Sequence, residues 1–324
     1  MSLPAHSPPA SPAASPRVSV VMPVHNAAAH VAAAIGSALN SDLRALEVIV
    51  VDDGSTDASL GIAKSLEDER LTVIAQPASG GPSRPRNVGI ARARAPYVAL
   101  LDADDELKPD KLSAALAALE AHPQAGIAFG DYERIDAAGT VLCASVLSAY
   151  PQLHQLASRP WGDRWRVIPQ REFARGLLYE NFIGTSGVVL RRSVLERVGG
   201  FDEALNYSED RDLWFRLAHE CDALYRDAIG HSYRVSVGGL TLRPGSSQDR
   251  QRIEVLRRER ARWPAARERR QLDRLIAENL GGIAWEHRAH GRRLASITTF
   301  AQAFLTSPSA RWVRGALGSL WRKT

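Results

Sequence analysis

The stretch Val50–Asp57, V-V-D-D-G-S-T-D, constrains this chain more than any other. An apolar run ends on two adjacent carboxylates, Asp52 and Asp53, and Gly54 with Ser55 can make the turn that follows. The pattern recurs where Tyr97–Leu101 runs into Asp102, Asp104 and Asp105, in D-A-D-D. A third acidic pair, Glu209–Asp210, opens a segment of helical character. Carboxylates gathered at the ends of apolar runs exceed what a fold needs. They suggest a site that handles a cation, a polyphosphate and a proton.

Around these landmarks, strand-like and helix-like segments alternate. Val18–Met22, Glu47–Val51, Leu71–Ala75 and Tyr97–Leu101 read as short apolar strands. Ala28–Leu39, Ala58–Leu66, Ser83–Ala95 and Pro109–Ala121 read as helices between and after them. That order predicts an α/β fold with a mostly parallel sheet covered by helices on both faces. Ligands of such open sheets bind beyond the carboxyl ends of the strands. His25-Asn26, Asp52-Asp53 and Asp102–Asp105 all follow strand C-termini, so they are expected to converge. Further on, Ile127–Ile135 and Thr185–Leu190 read as strands, and Arg171–Leu178, Ser193–Val198 and Glu209–His219 as helices. Residues 137–170 show no clear period and read as a long ordered loop.

Charge is distributed unevenly. Residues 241–324 hold 18 Lys and Arg against 7 Asp and Glu, a net of +11, which leaves −6 for residues 1–240 of a chain whose total is +5. Ile253–Trp263, Arg270–His290 and Leu294–Leu305 show helical periodicity, interrupted at Pro264 and Gly291. A final short helix carries Trp312, Val313, Ala316, Leu317, Leu320 and Trp321 along one side, flanked by Arg311, Arg314, Arg322 and Lys323. Such a stripe suits an anionic membrane surface, or packing on the body or on another subunit. No apolar run reaches the roughly 20 residues of a membrane span. Two cysteines, Cys143 and Cys221, are too few for a disulfide framework, which fits a reducing, cytoplasmic setting. The expected organisation is a disordered Pro/Ser/Ala-rich lead-in over 1–16, an α/β domain over 17–240, and a basic helical region over 241–324.

Six segments, in order, resemble family-2 glycosyltransferases of the GT-A fold: V-S-V-V-M-P-V-H-N (18–26), V-V-D-D-G-S-T-D (50–57), G-G-P-S-R-P-R-N-V-G (80–89), L-L-D-A-D-D (100–105), G-G-F-D-E (199–203) and S-E-D-R-D-L-W-F-R-L (208–217). Pro85 stands where that family has a small residue. Val235-Ser236 follows Tyr233-Arg234 where the family often places a His. The resemblance implies an inverting transfer of a sugar from a nucleotide-diphosphate sugar to a saccharide or lipid-linked acceptor, in bacterial cell-surface polysaccharide or glycolipid synthesis. It implies a divalent cation, Mn²⁺ or Mg²⁺, on Asp104 and Asp102, with Asp102 also facing the ribose.

By the same resemblance Asp53 reads the nucleobase, while Pro23, His25 and Asn26 cover base and ribose. His25 would act by stacking or by bonding backbone, not by binding metal. Arg84 and Arg86 would approach the diphosphate, for which a guanidinium fork is suited. Asp210 would be the general base, assisted by Glu209. No nucleic acid is expected as a partner, and the inner face of the cytoplasmic membrane is a candidate location. Two other readings stay open. A sugar nucleotidyltransferase would show a Gly-rich basic loop after the first strand, where this chain has V-M-P-V-H-N. A non-catalytic sugar-nucleotide-binding protein would have no need of the carboxylates at 53, 102, 104 and 210.

Overall fold

The computed structural model describes residues 15–235 and 246–320. Most of the lead-in assigned to 1–16, the boundary at 240, and Trp321, Arg322 and Lys323 lie outside the described residues.

The first half alternates as the sequence predicts. The order is β1 (Val18–Val24), α1 (Val31–Leu39), β2 (Leu46–Asp53), α2 (Ser59–Ser65), β3 (Leu71–Gln76), α3 (Ser83–Arg92), β4 (Tyr97–Leu100), β5 (Glu106–Leu107) and α4 (Lys111–Ala121). Strands β3, β2, β1 and β4 lie side by side and parallel. All eight residues of β2 are buried, the pattern of a strand covered on both faces. Alternate residues enter opposite layers. Val21, Ile49, Val51 and Leu100 face one apolar cluster, and Val20, Met22, Val48, Val50 and Leu101 face the other. Helices α1, α2 and α4 cover the second cluster, and α3 covers the first. Gly89 lets α3 lie close on β1, since a Cβ there would meet Val21 Cγ1 at 2.4 Å.

The second half continues with β6 (Ala125–Ile135), β7 (Val141–Cys143), α5 (Pro151–Gln155), β8 (Arg159–Trp161), β9 (Trp165–Ile168), α6 (Gln170–Leu177), β10 (Val189–Arg191), α7 (Arg192–Val198), α8 (Glu209–Ala218) and β11 (Asp222–Arg234). Strand β10 runs antiparallel between β4 and β6, β11 pairs parallel with β6, and β9 and β8 close that edge. The stretch 137–170 is therefore not one loop. It holds three short strands, β7 on β6 and the β8–β9 hairpin, with a 3₁₀ turn and a helix, each too short to show a period in sequence. Strand β11 also gave no sequence signal, because its pairing with β6 shifts register around Arg226–Ile229 and breaks the alternation.

Four helices follow: α9 (Ser246–Arg262), α10 (Ala266–Ala289), α11 (Arg293–Thr306) and α12 (Ala310–Leu320). Ile253, Val255 and Leu256 of α9 join the same core cluster as Leu213 and Leu217 of α8. The apolar stripe of α12 divides. Trp312 is buried and stacks on Phe300, ring centres 6.4 Å apart. Val313, Leu317 and Leu320 stay exposed.

Candidate active site

Three strand ends meet at the carboxyl edge of the sheet. The turn after β1 is zipped to the turn after β2. His25 Nδ1–H donates to the Asp53 carbonyl oxygen (2.9 Å). The Asn26 N–H donates to Ser55 Oγ (3.0 Å), and Asn26 Oδ1 accepts from the Thr56 N–H (2.8 Å). Pro23, inside β1, is half-buried beside this seam. Asp52 braces the turn by accepting the Ser55 N–H. Gly54 has φ +67°, and a Cβ there would meet the Ala78 nitrogen at 2.6 Å, so only glycine fits without strain. Asp53 is buried and accepts from Gln76 Nε2 (2.6 Å), the Ser79 N–H (3.1 Å) and Ser79 Oγ (2.8 Å). It anchors the 76–81 segment that leads into α3.

Past β4, Asp102, Asp104 and Asp105 form an acidic corner. The Asp102 N–H donates to Ser186 Oγ (3.0 Å), and that hydroxyl donates to Asp105. Asp105 is fully buried and accepts the Arg234 N–H (2.9 Å). Burial pushes its carboxyl well above the usual range, and the charges of Asp104 and Asp102 push it further. Arg234 reaches across to the Asp104 carbonyl (3.1 Å) and to the Glu106 carboxylate. The Tyr233-Arg234 pair carries no evident role in the sequence; in the structure Arg234 tethers the acidic corner to β11.

Arg86 is the residue whose placement the sequence reading did not foresee. Its side chain is 4% exposed. Nη2 donates to Asp102 Oδ1 (2.7 Å) and Nη1 to Glu209 Oε1 (2.9 Å), with the guanidinium carbon 5.2 Å from the Phe201 ring centre. Burial alone would lower its pKa, but the two carboxylates outweigh burial and hold it above the ordinary guanidinium value. In this structure its fork joins the acidic corner to the first residue of α8. Arg84, two residues earlier on α3, is exposed and lines a polar cleft of about 160 Å³ with Ser79, Gly81, Ser83, Glu203 and Asn206. Pro85 sits buried in the first turn of α3, where a missing N–H costs little.

Glu209 and Asp210 begin α8. Burial, then the charge of Asp210, push the Glu209 carboxyl up to about 7 against the pull of Arg86. Asp210 Oδ1 accepts the Arg211 N–H (2.6 Å), and Oδ2 accepts from Asn181 Nδ2 (3.3 Å). Asn181, in the segment before β10, carried no sequence signal. A larger cleft, about 440 Å³, is lined by Gln124, Gln170, Arg191, Arg197 and Asp222. It lies where β6 and β11 start, away from the carboxyl ends where parallel sheets bind ligands.

Among the described residues no group of three or more His, Cys, Asp or Glu is arranged as a ready-made metal cage. The acidic corner nonetheless fits a hard cation. Mg²⁺ and Mn²⁺ sites on phosphate substrates take one or two carboxylates, the phosphates and water. Burial is the larger reason that the Asp105 carboxyl is raised; the smaller one, repulsion from Asp104 and Asp102, is what such a cation would relieve. Asp102, about 30% exposed beside its pair with Arg86, can reach one.

The family model described as "Glycosyl transferase family 2" matches residues 19–199, more than half of the chain. The chain belongs to glycosyl transferase family 2. Among curated relatives, the succinoglycan biosynthesis proteins ExoU and ExoO of Rhizobium meliloti (strain 1021) are each 32% identical, over 194 and 212 residues. These alignments cover 55% and 60% of this chain but 52% and 54% of the relatives, so the chain spans about half of their length. Among solved structures, Staphylococcus aureus TarS 1–349 in complex with UDP-GlcNAc superposes with a TM-score of 0.62 at 20% identity, covering 90% of this chain and 82% of that one. The fold is thus the GT-A arrangement, a mostly parallel sheet between helices, with a helical region after it. The family match ends at Gly199, before Glu209 and Asp210. Glu209 is tied to Asp102 through Arg86, and Asp210 follows it at the start of α8.

Proposed function

We propose that this chain transfers a sugar from a nucleotide-diphosphate sugar to a hydroxyl of a saccharide or lipid-linked acceptor, with inversion, in the synthesis of cell-surface polysaccharide or glycolipid. One observation carries the reading: a single buried guanidinium joins Asp102, on the donor side, to Glu209, beside the candidate base Asp210. The 25–26 and 53–57 turns form the base and ribose end, with Asp53 reading the base. Arg84 reaches the diphosphate from the rim of α3. Asp104 and Asp102 would hold the divalent cation, which neutralises charge on the leaving diphosphate when bound. At the other end, Asp210 takes the proton of the acceptor hydroxyl as its oxygen bonds the anomeric carbon. The bond from that carbon to the diphosphate oxygen breaks on the opposite face, which inverts the centre. Asn181 and the Arg211 N–H hold the Asp210 carboxylate for this role.

The test is a thermal-shift screen over UDP-, GDP- and dTDP-sugars with Mn²⁺ and Mg²⁺, followed by nucleotide-release assays. UDP-GlcNAc, the ligand of the TarS structure, is the first donor to try. Asp104→Ala should remove turnover and the metal dependence of donor binding. Full activity of Asp104→Ala, or of the wild type in excess chelator, refutes the metal assignment. Donor binding without turnover on any acceptor would favour a sugar-nucleotide-binding protein.

A lipid-linked acceptor would draw the protein to a membrane, at the inner face of the cytoplasmic membrane in this reading. Two features support that location: the net +11 of residues 241–324, and the exposed Val313, Leu317 and Leu320 on α12. No helix among the described residues is long and apolar enough to cross a bilayer.

A further inference from the structure

The segment Phe201–Ser208 delivers Asp210 to the site, and two walls hold it. On the α3 side, Asn87 Oδ1 accepts the Phe201 N–H (2.9 Å), Asn87 Nδ2 donates to the Phe201 carbonyl (2.9 Å), and Ser83 Oγ donates to the Leu205 carbonyl (2.9 Å). The other wall is α9, from the C-terminal helices. Gln251 Oε1 accepts both the Asn206 N–H (2.8 Å) and the Tyr207 N–H (2.9 Å). Arg258 Nη1 pairs with Asp202 (2.6 Å), and Glu259 accepts from His219, at the far end of α8 (2.8 Å). The very next residue, Ser208, has φ +61°. A non-glycine residue keeps such a backbone only where its surroundings over-determine it.

We infer that Gln251 is a positioning residue for the transfer, fixing the turn that aims Asp210 from outside the sheet domain. This deepens the functional reading above and rests on it for the identity of the base. One side-chain oxygen satisfies two successive backbone donors that face no other backbone acceptor in this turn. It thereby locks the peptide planes that precede Ser208. Released from it, the 206–208 turn can relax toward ordinary φ values and swing the first turn of α8. A displacement of about 1 Å at a reacting group can cost on the order of 10²-fold in rate. The C-terminal helices are, on this inference, part of the catalytic geometry and not only an appendage.

The experiment compares Gln251→Met, which keeps length and loses the acceptor, with Gln251→Glu, which keeps it. Amide hydrogen exchange is read at 206 and 207, and UDP release from UDP-GlcNAc with Mn²⁺ gives kcat and KM. In Gln251→Met, exchange at those two amides should rise by about three- to tenfold, the scale of one lost hydrogen bond, with the core strands unchanged. Its kcat should fall by roughly 10- to 10²-fold while donor KM stays within about twofold. Gln251→Glu should restore both. In an Asp210→Asn background, Gln251→Met should lower kcat by less than about threefold, because residues acting through one group are not additive. Full additivity with Asp210→Asn overturns the inference, as does a change in KM alone. If the wild type releases no UDP, the functional reading fails for this donor by itself. Exchange then still decides the clamp, since unchanged protection at 206 and 207 in Gln251→Met overturns it.

Discussion

Arg86→Met should destabilise the protein in a way that depends on pH. The guanidinium is nearly inaccessible and divides its fork between Asp102 and Glu209. Removing one partner of a buried ion pair costs about 3–5 kcal/mol, because the other charge is left uncompensated. Asp102 is about 30% exposed, and water can screen it. Glu209, 11% exposed, has no such relief, so most of the cost falls on it. Its folded pKa already lies above the ordinary 4.5, at about 7, and losing Arg86 can only raise it. A carboxyl with a raised folded pKa takes up protons on folding at intermediate pH. It therefore costs stability that grows as pH rises from about 4.5 to the folded pKa, then levels off. Each unit of further shift adds about 1.4 kcal/mol above that pKa. Urea unfolding of wild type and Arg86→Met at pH 5 and pH 8.5 should show a loss larger at pH 8.5 by about 1–3 kcal/mol. In a Glu209→Gln background most of that difference should vanish. A loss below about 1 kcal/mol at both pH values, or one unchanged by Glu209→Gln, refutes the argument that this guanidinium compensates a buried carboxylate.

Asp210→Asn should lower turnover by on the order of 10²–10⁴ with donor affinity unchanged by calorimetry; a collapse of donor affinity with turnover retained would move Asp210 to the donor side. Lys111 is buried, and burial followed by the charge of Arg226 lowers its pKa to about 7. Between about 7 and 10.5 the unfolded chain binds the extra proton, so stability climbs with pH over that window, and below it the full penalty applies. Lys111→Met should thus raise the melting temperature at pH 6.5, with the gain fading by pH 10; a variant less stable than wild type at pH 6.5 contradicts this. Leu317→Glu should weaken co-sedimentation with anionic vesicles, since Leu317 is 53% exposed while Trp312 is buried. Equal pelleting of the two proteins would leave α12 a packing element.

The alternation of apolar runs and amphipathic segments was enough to derive a mostly parallel sheet covered on both faces, and with it the carboxyl edge on which Asp53 and Asp102 lie, while the order β3-β2-β1-β4 came from the structure. Parallel pairing and right-handed crossovers leave few arrangements for such a pattern, and a turn such as Gly54 is written in its own few residues. The remainder depends on partners far apart in the chain. Arg86 lies next to Asp102 and Glu209 only because α3 and α8 pack on the same face of the sheet. Nothing local distinguishes it from the exposed Arg84 two residues earlier. Asn181 and Gln251 stood in segments with no motif, and Arg234 in a Tyr-Arg pair to which no role was attached, yet each closes a hydrogen bond across 29 to 130 residues. Local sequence sets what a segment can be, but which face of it is covered, and by what, is settled by the assembled chain. The divided stripe of α12 shows the same limit. Its composition marked an amphipathic helix, and only packing against Phe300 decided that Trp312 turns inward while Val313, Leu317 and Leu320 remain at the surface.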